Sequence, residues 1–378
     1  MKKKRNYFGM ITMMICSIMT IIYGAGLFVS AADDEKEVLL QYQDFEARFA
    51  AVEQVTDLVE QGFDIIEEQT FPVLLESFGE EEVMFVPAMD AVYQRLLILI
   101  ADEEGRILYK CHQLSTNQLY PGQMKQPTRS IAAVSFQDAD NDGLTDIILI
   151  TRCVNLTGDY VGKPYKVGDV LFQRECGFYR DYRISDKINR FSMNKSANCI
   201  VSFVRDGRST EFLYTASTEK ELLRKGFKVI EEQCYTRNFE KLGKLKVLPG
   251  VYRISEYDVF MVYLINEQGD IVWSFQPMGD YDNLYSLKGM TGKDMDGDGM
   301  KDLVVLARYS CEGPRGELLV EAKCSVYYQR TGGFDIDAGF EDYYQCTEED
   351  TLEELVNKIR EYWGWLPALA VEPAYTEK

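Results

Sequence analysis

Asp138-Ala139-Asp140-Asn141-Asp142-Gly143-Leu144-Thr145-Asp146 runs straight into Ile147-Ile148-Leu149-Ile150. Further along, Asp294-Met295-Asp296-Gly297-Asp298-Gly299-Met300-Lys301-Asp302 runs into Leu303-Val304-Val305-Leu306. Both loops read D-x-D-x-D-G-x-x-D, and both apolar runs are of the kind that forms buried strands. The alternating spacing turns carboxylates 1, 3 and 5 to one side, and glycine at position 6 permits a sharp turn. The carbonyl of position 7 (Leu144, Met300) and the carboxylate of position 9 (Asp146, Asp302) complete a ring of hard oxygens. Calcium takes about six to eight such ligands at about 2.3–2.6 Å, whereas magnesium keeps more of its waters and demands a stricter octahedron. An EF-hand needs Glu at position 12 and a helix after it, but that position is Leu149 or Val305 inside a β-type run. Asp and Gly also favour ordinary turns. Two intact loops with four carboxylates each point to two calcium sites.

The flanking pattern extends the motif. A strand-like run (Ile131 to Phe136) precedes the first loop, and the closing elements read Val170-Leu-Phe-Gln-Arg-Glu-Cys-Gly177-Phe178 and Val326-Tyr-Tyr-Gln-Arg-Thr-Gly-Gly333-Phe334. On these residues the chain resembles the FG-GAP or VCBS-type repeats of integrin-like β-propellers over about 45 residues per copy. The resemblance implies calcium held between two strands of a blade, on a scaffold used for surface binding more than for catalysis. A propeller takes about four to eight blades, and only two motifs are visible.

A larger unit recurs around the loops. Leu58 to Gln69 matches Leu222 to Gln233, and Ala101 to Tyr109 matches Ile265 to Trp273, both at an offset of 164; from the Asp loop onward the offset is 156. The eight-residue difference falls in 115–130. Each unit opens with an amphipathic helix that stops at glycine. The first spans 44–61 with Phe45, Phe49, Val52 and Val59 on one face; the second starts at Thr218 and Glu221 as a capping box and ends before Gly226. A third runs from Thr351 to Trp363 and ends at Gly364. Strands are expected at 63–71, 83–87, 95–101, 106–111, 131–137, 147–152, 168–174, 199–205 and 211–215, with hairpin turns at Gly105 and Gly269. The fold class is mainly β: duplicated β-propeller-like repeats with short helices between units and at both ends, or alternatively two α+β domains. The expected divisions are 1–32, 33–61 (N-terminal helix), 62–215 and 216–345 (repeat units) and 346–378 (C-terminal helix and tail).

At 378 residues the chain has ample core for more than one domain. Lys2-Lys-Lys-Arg5, an uncharged stretch from Asn6 to Ala32 and the small-residue end at Val29 to Ala32 read as a secretory signal or, retained, as a membrane anchor through 7–29. Either places the rest outside the cytoplasm, in the medium or at the cell surface. Residues 1–32 hold four basic and no acidic side chains, which leaves 37 Lys and Arg against 61 Asp and Glu, a net charge of −24. Such a surface repels nucleic acid. Cys16 lies in the uncharged stretch; the other eight cysteines, at 111, 153, 176, 199, 234, 311, 324 and 346, permit disulfides but do not recur between the two units, which favours unpaired thiols.

His112 is the only histidine, and no HExxH, GxSxG or Walker-type loop occurs. The Glu67-Glu68 and Glu231-Glu232 pairs are the one catalytic constellation open, since glycoside hydrolysis uses two carboxylates. Adjacent strand residues face opposite ways, which would split each pair across a sheet. The expected function is therefore a non-enzymatic, calcium-binding surface module for an extracellular protein or glycan ligand, with a secreted carbohydrate-active enzyme as the alternative.

Overall fold

The computed structural model describes residues 40–119, 126–158, 160–175, 177–276, 283–313, 317–337 and 339–365. The expected signal or anchor at 1–32, Cys176 and the tail beyond 365 lie outside the described residues. No helix among the described residues is long and apolar enough to cross a membrane. The chain divides into two compact units, one containing 40–73 and 82–112 and the other 74–81 and 113–365. This division cuts the chain at different places from the repeat boundaries expected at 215 and 345.

In the first unit, helix α1 (40–50) is followed by α2 (Asp57–Glu60). The single helix expected over 44–61 is interrupted because the Asp57 carboxylate accepts the N–H groups of Glu53 and Gln54 at 2.9 and 2.8 Å, taking donors that a continuous helix would use internally. Phe45, Phe49 and Val52 are buried as expected, but Val59 is 70% exposed and Leu58 takes the buried position. These side chains pack on Val86, Ala88, Leu97 and Leu99 of an antiparallel sheet. Its strands are β1 (Phe63–Ile65), β2 (Phe71–Leu74), β3 (Glu82–Asp90), β4 (Leu96–Ala101) and β5 (Ile107–Cys111), in the order β1-β3-β4-β5 with β2 also on β3. The strand expected over 63–71 is broken by a 3-10 turn at Glu67–Gln69.

The second unit holds three antiparallel sheets. Strands β6 (Thr128–Gln137), β7 (Asp146–Val154), β8 (Pro164–Arg174) and β9 (Gly177–Tyr179) form one. Helices α3 (Tyr182–Arg190), α4 (Ala197–Asp206), α5 (Phe212–Thr215) and α6 (Glu219–Arg224) follow. Next come β10 (Lys228–Val229), β11 (Tyr235–Phe239), β12 (Gly243–Ile254), β13 (Tyr257–Ile265) and β14 (Ile271–Phe275), in the order β10-β12-β13-β14 with β11 also on β12. The last sheet is β15 (Asn283–Lys293), β16 (Asp302–Glu312), β17 (Leu318–Arg330) and β18 (Gly333–Ile336), then α7 (Phe340–Tyr343) and α8 (Leu352–Tyr362). The protein is thus mainly β, with four antiparallel sheets among the described residues, none of them closed.

Strand periodicity explains how these layers stack. On β16, Leu303, Val305 and Ala307 face Val262, Leu264 and Phe275 of the preceding sheet, while Val304 and Leu306 face Leu355, Val356 and Ile359 of α8. Burial on both faces accounts for the uninterrupted apolar run after the Asp loop. On β7, Ile148 and Ile150 pack on Ile188 of α3 and Ile200 of α4. Register shifts fall between Ile131 and Ala133 in one sheet and between Leu287 and Gly289 in the other, 156 residues apart in both cases.

Two expected strands are helices. Residues 199–205 lie in α4, and 211–215 belong largely to α5. The β-branched run Ile200-Val201 misleads because the Ser196 hydroxyl caps α4 by accepting the Cys199 N–H at 3.2 Å, and Gly207 closes it at φ 66°. The glycine stops at Gly62, Gly226 and Gly364 all adopt positive φ as expected; of the capping box expected at α6 only half forms, Thr218 accepting the Glu221 N–H while the Glu221 carboxylate takes Ser217 N at 3.1 Å, whereas Thr351 with Glu354 forms a full box on α8.

Candidate metal centres

Each Asp loop joins two neighbouring strands, β6 to β7 and β15 to β16, and its backbone is organised by its own carboxylates. Asp138 accepts the N–H groups of Asp142 and Gly143, both at 3.1 Å; Asp294 accepts those of Gly297 at 2.7 Å and Gly299 at 2.9 Å. Asp142 and Asp298 accept the N–H of Leu144 and Met300 at 2.9 and 2.8 Å. Positions 4 and 6 are left-handed in both loops, at φ 61° for Asn141, 82° for Gly297, 88° for Gly143 and 85° for Gly299. Glycine and asparagine tolerate that region, so four of the residues between the carboxylates are fixed by turn geometry.

The position-9 residues sit deepest. Asp146 is fully buried and accepts from Ala139 N and Gln173 N, both at 2.8 Å; Asp302 is fully buried and accepts from Met295 N and Gln329 N at the same distance. Burial drives Asp146 up to about 6 and Asp302 up to about 7, against the two backbone donors, and the neighbouring carboxylates push the same way. Among the described residues, carboxylate oxygens of Asp138, Asp140 and Asp146 lie within 4.8 Å of one another, and so do those of Asp294, Asp296 and Asp298. Either group could hold a metal ion. Asp142 falls outside the first group and Asp302 outside the second. The Asp140 Oδ1 atom is buried without a hydrogen-bond partner. An all-oxygen donor set with one such unmatched acceptor fits a hard dication.

Three kinds of residue outside the motif hold the loops, and the D-x-D-x-D-G-x-x-D spacing points to none of them. Glu76 accepts Thr145 N and Thr145 Oγ1, both at 2.9 Å; Glu240 accepts Lys301 N at 2.8 Å and pairs with the Lys301 ammonium. Burial works against the Glu240 charge, but the Lys301 hydrogen bonds outweigh it and hold the carboxyl down to about 2. Gln173 and Gln329, both fully buried, donate to Thr145 O and Lys301 O at 3.1 and 3.0 Å and accept from Ser77 N and Lys241 N at 3.1 and 2.8 Å. Arg174 donates to Asp140 at 3.0 Å and Asp142 at 2.7 Å, and Arg330 donates to Asp296 at 2.8 Å and Asp298 at 3.1 Å. The position-1 carbonyl is also held: Arg205 of α4 donates to Asp138 O, and Arg360 of α8 donates twice to Asp294 O, at 3.0 and 2.8 Å. A signal existed in the sequence. Leu75-Glu-Ser-Phe-Gly79 matches Phe239-Glu-Lys-Leu-Gly243, and Gln173-Arg174 matches Gln329-Arg330.

The remaining candidates lie elsewhere. Glu67-Glu68 and Glu231-Glu232 are exposed in 3-10 turns rather than on strands, so the split across a sheet expected for each pair does not arise. His112 is buried between the Phe45 and Phe49 rings at 5.0 and 4.8 Å, with Nε2 3.1 Å from Glu46, and burial pushes its imidazole below the usual value. Among the described residues, Cys153, Cys199, Cys234, Cys324 and Cys346 are thiols outside any disulfide. An open cleft of about 330 Å³ is lined by Arg208, Glu211, Phe212, Glu221, Lys225 and Tyr252.

No family model matches the chain, and no curated protein matches it. Among solved structures it is similar to an exo-inulinase from Aspergillus awamori, at 12% identity and a TM-score of 0.21, covering 68% of this chain and 47% of that one. It is also similar to the exotype rhamnogalacturonan lyase YesX, at 13% identity and a TM-score of 0.20, covering 72% of this chain and 48% of that one. The chain spans about half the length of either structure.

Proposed function

We propose that the two Asp loops hold calcium and that the chain is an exported, non-enzymatic surface binding or adhesion module built from FG-GAP/VCBS-type repeats in a β-propeller-like arrangement. One observation carries the reading: two loops with the same D-x-D-x-D-G-x-x-D spacing bring three carboxylates each within 4.8 Å on the same strand connection. Asp138, Asp140, Asp142 and Asp146, with the Leu144 carbonyl, would surround one ion; Asp294, Asp296, Asp298 and Asp302, with the Met300 carbonyl, the other. The bound ion supplies positive charge where like charges converge, and so ties β6 to β7 and β15 to β16. Export follows from the basic start and uncharged run of residues 1–32. Calcium at extracellular, millimolar levels then suits weak oxygen sites. The ligand is an extracellular protein or glycan.

Thermal unfolding in millimolar calcium and in EGTA, with calcium stoichiometry, tests the proposal. Two ions per chain and a clear upward shift in calcium support it. Absence of both binding and shift overturns it.

A further inference from the structure

Arg174 and Arg330 are seated where the cation sites are proposed. Each guanidinium bridges the carboxylates of positions 3 and 5 with separate nitrogens, at 3.0 and 2.7 Å in the first loop and 2.8 and 3.1 Å in the second. It is also fixed from behind. Arg174 donates to Gln173 O at 2.6 Å and lies 5.7 Å from the Phe172 ring; Arg330 donates to Gln329 O at 2.9 Å and lies 5.2 Å from the Tyr328 ring. A planar guanidinium held by a carbonyl, a ring and two carboxylates is built into its place, which a single ammonium could not reproduce. In the first loop both nitrogens take Oδ2 atoms, while the buried Oδ1 of Asp140 has no partner. The bridge uses the outer oxygens of the pair and leaves this inner one for another cation.

Resting on the calcium reading of the loops, we propose that Arg174 and Arg330 are tethered counter-cations that keep the loops assembled without metal and lower their calcium affinity. The guanidinium relieves repulsion between positions 3 and 5, which metal-free carboxylates otherwise suffer. When calcium enters, the same fixed positive charge opposes it, and a charge a few ångströms from a dication changes binding by about tenfold at surface screening. The arginines therefore set the calcium range over which the loops switch between bridged and metal-filled states.

The test is calorimetric titration of the full chain with calcium chloride at fixed ionic strength, for the natural protein, Arg330→Met, Arg330→Lys and Asp296→Ala, with thermal unfolding of each in EGTA. Arg330→Met is expected to tighten one of two sites about tenfold and to unfold at a lower temperature in EGTA. Arg330→Lys keeps the charge without the bridge and is expected between the two. Asp296→Ala is expected to lose one site. If the natural protein binds calcium and Arg330→Met binds it equally or more weakly, the counter-cation role is overturned while the calcium reading stands. Calcium binding by none of the four overturns both. Arg174→Met repeats the comparison at the other loop should Arg330→Met fail to fold.

Discussion

The Glu76 carboxylate grips Thr145 across 69 residues of chain, taking both its backbone N–H and its hydroxyl at 2.9 Å. Glu240 takes the N–H of Lys301 in the same way across 61 residues. The two spans differ by eight residues, yet both ends of the staple are the same. The residue gripped is position 8 of each Asp loop, one before the buried Asp146 or Asp302. The carboxylate therefore fixes where the loop re-enters its strand.

Removing the polar frame should damage both calcium-loaded and calcium-free protein. Gln329→Leu leaves Lys241 N and Lys301 O without their present partner beside a buried strand end, and is expected to cost about 2–3 kcal/mol in either condition. Denaturant unfolding in calcium and in EGTA measures it. A loss confined to calcium would mean that Gln329 acts only on the ion.

Removing a ligand should behave in the opposite way. Asp140→Ala or Asp296→Ala is expected to forgo about 2–3 kcal/mol of stabilisation with calcium well above its Kd, since a ligand that binds only the native state stabilises it by mass action. In EGTA the same variants should unfold close to the natural protein, because losing one carboxylate removes like-charge repulsion within the loop together with the ion pair to Arg174 or Arg330 that offsets it. Equal losses in both conditions would show that these carboxylates serve the loop rather than a metal.

The buried position-9 carboxyls give calcium-free protein a defined pH response. Their folded-state values, about 6 for Asp146 and about 7 for Asp302, lie above the ordinary 3.8, so the folded state holds protons that the unfolded chain releases. Their contribution is fully present below 3.8 and is lost as pH rises to about 7. In EGTA the protein is expected to melt higher at pH 5.5 than at pH 7.5, a difference that saturating calcium should reduce or reverse. A melting temperature in EGTA that rises from pH 5.5 to 7.5 would contradict the burial argument.

How much of this was legible depended on whether the deciding contact was local. The turns of the Asp loops, the left-handed glycines at 62, 226 and 364 and the Thr218 cap of α6 are short-range chemistry, and each is legible from neighbours in sequence. Helix α4 does not. Ser196, Ile200, Val201, Val204 and Arg205 correspond at a constant spacing to Thr351, Leu355, Val356, Ile359 and Arg360 of α8, yet α4 lacks the Glu of the capping box and carries a β-branched run. Packing of Ile200 and Val201 on β7 and β8 decides its state, and that information is not local. The repeat of Gln173 as Gln329 marks the residue, but its role is not legible for the same reason, since its partner Ser77 is 96 residues away.

That correspondence yields a discriminating substitution. Were 199–205 a strand, Ser196 would be a loop residue and its removal nearly silent. In α4 its hydroxyl accepts the Cys199 N–H at 3.2 Å and donates to Glu256 at 2.6 Å, so it satisfies a first-turn donor and fixes the helix start. Ser196→Ala is expected to cost about 1 kcal/mol. Ser196→Asp keeps a capping oxygen but sets a second carboxylate against Glu256, so it should recover little of that loss. The cost should be the same in calcium and in EGTA unless the helix also controls the first loop, which it touches through Arg205 and Asp138 O. Calcium titration of Ser196→Ala separates the two: an unchanged affinity makes the cap purely a matter of folding, whereas a weakened first site makes α4 part of the metal centre.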